Sequence, residues 1–216
     1  MENIRTMQEK KSRMNTKTMV KIALLAAISV ILSFIEFNIP VFPSFLKLDI
    51  ADVPVVLGSL VFGPQVGIFV ELIKNIFSFL RSSTGGIGDL ANFIIGCSLV
   101  IPLSLIYRKT KTFKGYVLGS VVGIIVMTVV ACTFNYFVLI PAYSALFGAP
   151  IEAFVGMVNK LNPAVVDLKT MVILSIGPFN LLKGAINCIL GYLLMNGLKG
   201  ALLNNRQPVK AKNTEE

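Results

Sequence analysis

Long apolar runs, each close to the length of a bilayer-spanning helix and separated by short charged clusters, constrain this chain more than any other feature. About 20 apolar residues cross a hydrocarbon core of about 30 Å as a helix. Inside hydrocarbon every backbone N–H and C=O must be satisfied within the protein, so runs of this kind build helices. Composition agrees. Of the 216 residues 55 % are hydrophobic and only 14 % charged, with mean hydropathy +0.77, whereas a soluble domain carries roughly a quarter charged residues. The expected fold is an all-α integral membrane protein.

A net charge of +9 could suggest nucleic acid, but the positions argue otherwise. Arg5, Lys10, Lys11, Arg13, Lys17 and Lys21 lie at the N-terminal end, Arg108, Lys109, Lys111 and Lys114 in a central loop, and Lys199, Arg206, Lys210 and Lys212 at the C-terminal end. Such clusters mark the cytoplasmic side of a membrane protein. The apolar runs predict six spans, over 20–37, 49–62, from the Gly63-Pro64 turn to 80, 89–107, 116–140 and 169–198. Six spans put both termini, the Gly63-Pro64 turn and the 108–114 loop on one face, which then holds most of the 20 basic residues. Opposite loops hold only Lys47, Arg81, Lys160 and Lys169, while Lys74 and Lys183 fall within spans. The expected organisation is a cytoplasmic tail over 1–19, a membrane domain over 20–198 and a second cytoplasmic tail over 199–216. The first run reads as a permanent span rather than a cleaved leader.

Between spans 1 and 2, Pro40 and Pro43 break any helix, yet Val41, Phe42, Phe45, Leu46 and Leu48 are too apolar for a solvated loop. A proline-broken apolar segment at membrane depth must pack on protein or line a cavity. It reads as a lid. The long connection over 141–168 is expected to hold a short amphipathic helix over 151–160, and Gly177-Pro178 a kink in span 6.

Several polar residues within spans need an explanation. Asn180, Lys183 and Asn187 share one helical face of span 6. A lysine at mid-membrane costs about 2.5–3.5 kcal/mol and usually faces the bundle interior. A ligand site fits, and so does a helix-to-helix hydrogen-bond cluster or a lysine reaching an interface. In span 5, Asn135 sits beside Phe134, Tyr136 and Phe137; an amide flanked by rings suits a flat heterocycle, though aromatic residues near a membrane interface are routine. Span 3 carries Glu71, Lys74, Asn75 and Ser78 on one face, where Glu71 and Lys74 can neutralise each other and Asn75 is a candidate contact. Asp49, Asp52 and Asp89 stand at span starts, as helix caps do. Ala23-x-x-x-Ala27 in span 1 offers a small-residue stripe for close helix approach.

The chain has no histidine, no GxxxxGK[ST] loop and no G-x-S-x-G or HExxH motif. Its three cysteines, Cys97, Cys132 and Cys188, lie in apolar runs at unrelated spacings, which argues against a zinc site or a structural disulfide. No carboxylate pair is set up for acid–base work. An enzyme is not expected, and transport against a gradient would draw its energy from a partner or an ion.

Six stretches together resemble the riboflavin-specific substrate-binding subunits (S components) of energy-coupling factor (ECF) transporters. They are Phe45-Leu-Lys-Leu-Asp-Ile-Ala-Asp-Val-Pro54, Phe62-Gly-Pro64, Glu71-Leu-Ile-Lys-Asn75, Ala91-Asn-Phe-Ile-Ile-Gly96, Phe134-Asn-Tyr-Phe-Val-Leu-Ile-Pro141 and Gly177-Pro-Phe-Asn-Leu-Leu-Lys-Gly184. Each is modest alone; their order and combination are specific. The resemblance implies six helices with cytoplasmic termini in the cell membrane and an outward-opening pocket capped by the loop between spans 1 and 2. It implies polar contacts to the isoalloxazine ring from Asn135, Asn180 and Lys183, with Asn75, Phe45, Leu46, Lys47 and Leu48 as further contacts. Riboflavin is then a transported ligand, with flavin mononucleotide as a second candidate, and no enzymatic cofactor is implied. The implied partners are a transmembrane coupling subunit, docking on Ala23 and Ala27, and two cytoplasmic ATPases. Other readings are an S component for another vitamin, a small membrane-embedded enzyme acting on lipid-like substrates, and a scaffold that binds no small molecule.

Overall fold

A computed structural model describes residues 16–203; the basic residues before 16 and after 203 lie outside the described residues, as do most of the two expected tails. The chain forms α1 (Thr16–Leu32), a hairpin of β1 (Glu36–Asn38) and β2 (Lys47–Asp49), α2 (Asp52–Phe62), α3 (Pro64–Phe79), α4 (Ile87–Thr110) and α5 (Phe113–Phe134). A π-helical turn, Asn135–Leu139, carries α5 without a break into α6 (Ile140–Phe147). Then follow α7 (Ile151–Asn159), α8 (Leu168–Met171), a second π turn (Val172–Ile176) and α9 (Gly177–Leu203). Among the described residues, three stretches are long and apolar enough to cross a membrane: Ile87–Thr110, Phe113–Phe147 and Leu168–Leu198.

The helices are apolar outside and charged inside. On α3, Phe69, Leu72 and Ile76 are 52 %, 41 % and 52 % exposed, while Glu71, Lys74 and Asn75 are 0 %, 1 % and 5 % exposed. A helix in water does the reverse, because burying charge costs far more than exposing hydrocarbon. In lipid the outer face needs only apolar atoms, and polar groups turn inward to find partners. Large exposed hydrophobics on α1, α4, α5 and α9 follow the same rule. This is a membrane protein.

Helix α4 packs on α5 along its length, and α9 lies against both α2 and α5. The α4–α5 approach depends on two glycines one turn apart. A Cβ on Gly119 would come within 2.8 Å of the Leu103 carbonyl oxygen, and one on Gly123 within 2.7 Å of the Leu99 carbonyl oxygen. Small residues at that spacing let helix backbones touch.

The structure corrects several expectations. The fold is not purely helical, because residues 36–49 form an antiparallel hairpin pairing Glu36 with Asp49, Phe37 with Leu48 and Asn38 with Lys47. Span 1 therefore stops at Leu32 rather than 37. Pro141 does not end span 5. A proline lacks the N–H for an intrahelical bond and clashes with the carbonyl four residues back, and the wider π turn just before it absorbs both defects. The second π turn precedes Pro178 in the same way, at the expected kink. The short amphipathic helix exists as α7, burying Phe154, Val155 and Val158, and the Gly63-Pro64 turn joins α2 to α3 with Pro64 in the first turn.

Candidate functional site

The polar interior is organised by two lysines. The Lys74 ammonium donates to Glu71 Oε1 at 2.6 Å and also to Asp52 Oδ1. The Lys183 ammonium donates to Asp49 Oδ2 at 2.9 Å and Asn92 Oδ1 at 3.3 Å, and lies 3.5 Å from Asp52 Oδ2. Asn187 Nδ2 donates to the same Asp52 oxygen at 3.4 Å. Asp52 thus links α3 to α9 through α2. All five charged groups are buried, and a buried charge persists only with partners and hydrogen bonds. Room for Glu71 comes from α4: a Cβ on Gly96 would lie 2.4 Å from its Oε1.

This arrangement settles what the acidic residues do. Asp49 and Asp52 are not helix caps. Ala51, the residue before α2, has no side-chain acceptor for the first-turn N–H groups, neither carboxylate takes that place, and each gives an oxygen to a lysine. Asp49 also accepts from the Ala51 N–H at 2.9 Å through its other oxygen. Asp89 likewise makes no capping bond at the start of α4. Lys183 neither faces lipid nor reaches an interface; it is 5 % exposed and held by three oxygens from three elements.

Asn135 opens the first π turn and Asn180 follows the second, and the two π turns pack against each other. Both amides are oriented alike. Asn135 Nδ2 donates to the Ala131 carbonyl at 2.8 Å, and Asn180 Nδ2 donates to the Ile176 carbonyl at 2.9 Å, each one turn back. Asn135 Oδ1 is buried without a hydrogen-bond partner. An orphan acceptor in a low-dielectric interior is costly, and a ligand N–H or O–H would satisfy it. Asn135, Asn180 and Lys183 are 3 %, 5 % and 5 % exposed.

The loop over residues 39–46 lies over this end of the bundle. Phe42 meets Phe179 of α9 edge-on at 5.3 Å, and Phe45 meets Phe154 of α7 at 6.4 Å. Phe45, Leu46 and Leu48 are half-buried. Lys47 points away, its ammonium 2.7 Å from Glu36 Oε2 in an exposed ion pair across the hairpin. Asn75 donates to the Glu71 carbonyl and to Glu71 Oε1 at 2.8 and 2.9 Å. It lines an apolar groove of about 460 Å³ between α3 and α4 together with Leu72, Phe79, Leu90 and Phe93, and neither Asn135 nor Asn180 is among the lining residues. Ala23 and Ala27 lie on the outer face of α1, exposed, opposite the buried Ile22, Leu25 and Ala26.

Three residues around Lys183 escape a reading by spacing: Asp49, Asp52 and Asn92. The signal for the two acids was their number, since two carboxylates three residues apart at the mouth of an apolar run exceed what one helix start needs. Asn92 lies in the Ala91–Gly96 stretch that carries the resemblance, but its spacing marked it only as an amide in a span. Among the described residues, no cluster of three or more acidic or cysteine side chains could hold a metal ion.

Comparisons with known proteins bear on this geometry. A family model described as ECF transporter, substrate-specific component, matches residues 17–195. The riboflavin transporter RibU of Staphylococcus aureus (strain TCH60) is 35 % identical over 195 residues, covering 90 % of this chain and 97 % of that protein. The riboflavin transporter FmnP of Bacillus subtilis (strain 168) is 32 % identical over 189 residues, covering 86 % and 94 %. A solved structure described as "Structure and mechanism of the S component of a bacterial ECF transporter" superposes with a TM-score of 0.70 at 35 % identity, covering 88 % of this chain and 98 % of that one.

Proposed function

The chain belongs to the substrate-specific components of ECF transporters, and we propose that it captures riboflavin outside the cell and passes it to an ATP-driven partner module. It is a transport component rather than an enzyme. Riboflavin follows from the relatives, which are named as riboflavin transporters over nearly their whole length, and from the chemistry of the buried amides.

The flavin pyrimidine edge presents an N–H donor between two carbonyl acceptors. Asn135 Oδ1, an unpartnered buried acceptor like Asn75 Oδ1 and Asn187 Oδ1 but set on a π turn packed against the one before Asn180, supports the reading best, because the imide N–H supplies the donor it lacks. Lys183, with Asn92 beside it, offers donors to a flanking carbonyl. Asn180 completes the polar rim. Phe45, Leu46 and Leu48 close over the rings as a lid and exclude water, while Lys47, held by Glu36, pins the hairpin. Asn75 acts at one remove, through Glu71.

In this reading six helices span the cell membrane with both termini in the cytoplasm, α1 to α3 crossing despite their shorter lengths. The exposed Ala23 and Ala27 dock a transmembrane coupling subunit, two cytoplasmic ATPases supply energy, and the subunit topples to release vitamin inward. Titration of the purified protein with riboflavin, flavin mononucleotide, thiamine and biotin tests the assignment. Saturable riboflavin binding, with thiamine and biotin silent, is the expected outcome. Binding of another vitamin and no flavin overturns it.

A further inference from the structure

The Lys183 ammonium has three N–H donors and meets three oxygens, and these differ in kind. Asn92 Oδ1 at 3.3 Å and Asp52 Oδ2 at 3.5 Å are long contacts to neighbouring helices. Asp49 Oδ2 at 2.9 Å is the short one, and it comes from the last residue of β2, the strand that ends the lid hairpin. The second Asp49 oxygen is fixed by the Ala51 N–H. Its carboxylate is therefore clamped between its own turn and α9, and no other buried ion pair ties the hairpin to the helices among the described residues. A ligand carbonyl that draws on Lys183 can replace either long contact and leave the short one in place.

We propose that Asp49 is a positioning residue: its ion pair with Lys183 aims the ammonium at the bound ligand and ties the lid hairpin to the helix that holds the ligand. The proposal rests on the riboflavin reading above. Occupancy of the pocket strengthens the hold on Lys183, and Lys183 holds β2 down. Loss of the ion pair frees the lid, so its effect falls on escape rather than on capture.

The test uses the full chain in lipid nanodiscs and follows flavin fluorescence by stopped flow. Asp49→Asn is expected to speed riboflavin dissociation by about 10-fold or more, the scale of one charge-assisted hydrogen bond, with association changed by less than about threefold. Lys183→Met weakens binding, and Asp49→Asn adds nothing further in the Lys183→Met background, because the two residues act as one unit. A general loss of folding would instead make the two penalties multiply. Asp49→Glu keeps the charge and serves where Asp49→Asn fails to fold; dissociation within about threefold of the parent is expected. Multiplying penalties, an unchanged dissociation rate in Asp49→Asn, or Asp49→Glu releasing ligand as fast as Lys183→Met each overturn the proposal. A parent protein that binds no riboflavin overturns the functional reading itself and is seen before any variant is made.

Discussion

Lys183 on α9 and Asp49 at the end of β2, 134 positions apart in the chain, meet at 2.9 Å with both side chains buried. The contact explains how an ammonium group sits inside a membrane helix without reaching for an interface. It also places the β1–β2 hairpin and the amide-bearing helix in one electrostatic unit, which continues through Asp52 to Lys74 and Glu71.

Lys74 is the centre of the second half of that unit. Replacing it by Met leaves Asp52 and Glu71 facing each other without the intervening cation. Removing one partner of a buried pair costs about 3–5 kcal/mol. Ligand-free thermal unfolding of Lys74→Met in detergent should show a loss of that order. A loss below about 1 kcal/mol would mean that water reaches the group.

Asn135 has the opposite signature. Its Oδ1 accepts from no other residue, so Asn135→Ala forfeits within the protein only the bond from Nδ2 to Ala131, worth about 1 kcal/mol. With riboflavin bound, the same change leaves the imide N–H unsatisfied at about 1–3 kcal/mol, roughly 5- to 150-fold in affinity. Calorimetry of the variant should therefore show weakened binding beside near-parental ligand-free stability. Equal losses in both would assign Asn135 to the scaffold.

Gly96 tests the packing around Glu71. A methyl group there would lie 2.4 Å from Glu71 Oε1, and overpacking of a filled core costs about 1–3 kcal/mol. Gly96→Ala should unfold at lower temperature, and the additional Glu71→Gln change should not restore it, because the clash is steric. Restoration by Glu71→Gln would show that charge rather than space sets the constraint.

Ala27 tests the partner surface. It is exposed beside Ala23 on the outer face of α1, so a larger side chain there disturbs nothing within the subunit. Ala27→Leu should leave riboflavin affinity of the purified protein unchanged. It should lower uptake by cells carrying the whole transporter, by roughly 5- to 150-fold if the added bulk costs about 1–3 kcal/mol at the interface. Parental uptake would move the docking face elsewhere.

Helices were legible in the sequence because hydrocarbon leaves a chain few alternatives, and the apolar runs over 89–107 and 169–198 fall within the helices found. The hairpin over 36–49 was not, since Pro40 and Pro43 advertise a break but no alternation marks strands of three residues. Pro141 misled because the rule that proline ends a helix has an exception where a π turn precedes it. Spacing on one face did single out Asn180 with Lys183, and Glu71 with Lys74. It could not supply the partners Asp49, Asp52 and Asn92, which arrive from other helices and from a strand. Periodicity reports which face a residue occupies; tertiary folding decides what it meets there.

The central claim is that the buried amides of α9 and the first π turn hold the flavin edge. Equilibrium titration of purified parent and Asn180→Ala protein with riboflavin, read by quenching of flavin fluorescence, addresses it most directly. Saturable binding by the parent and a loss of roughly 5- to 150-fold in the variant, with the unfolding temperature little changed, is the predicted result. Equal affinity in the two proteins would contradict it.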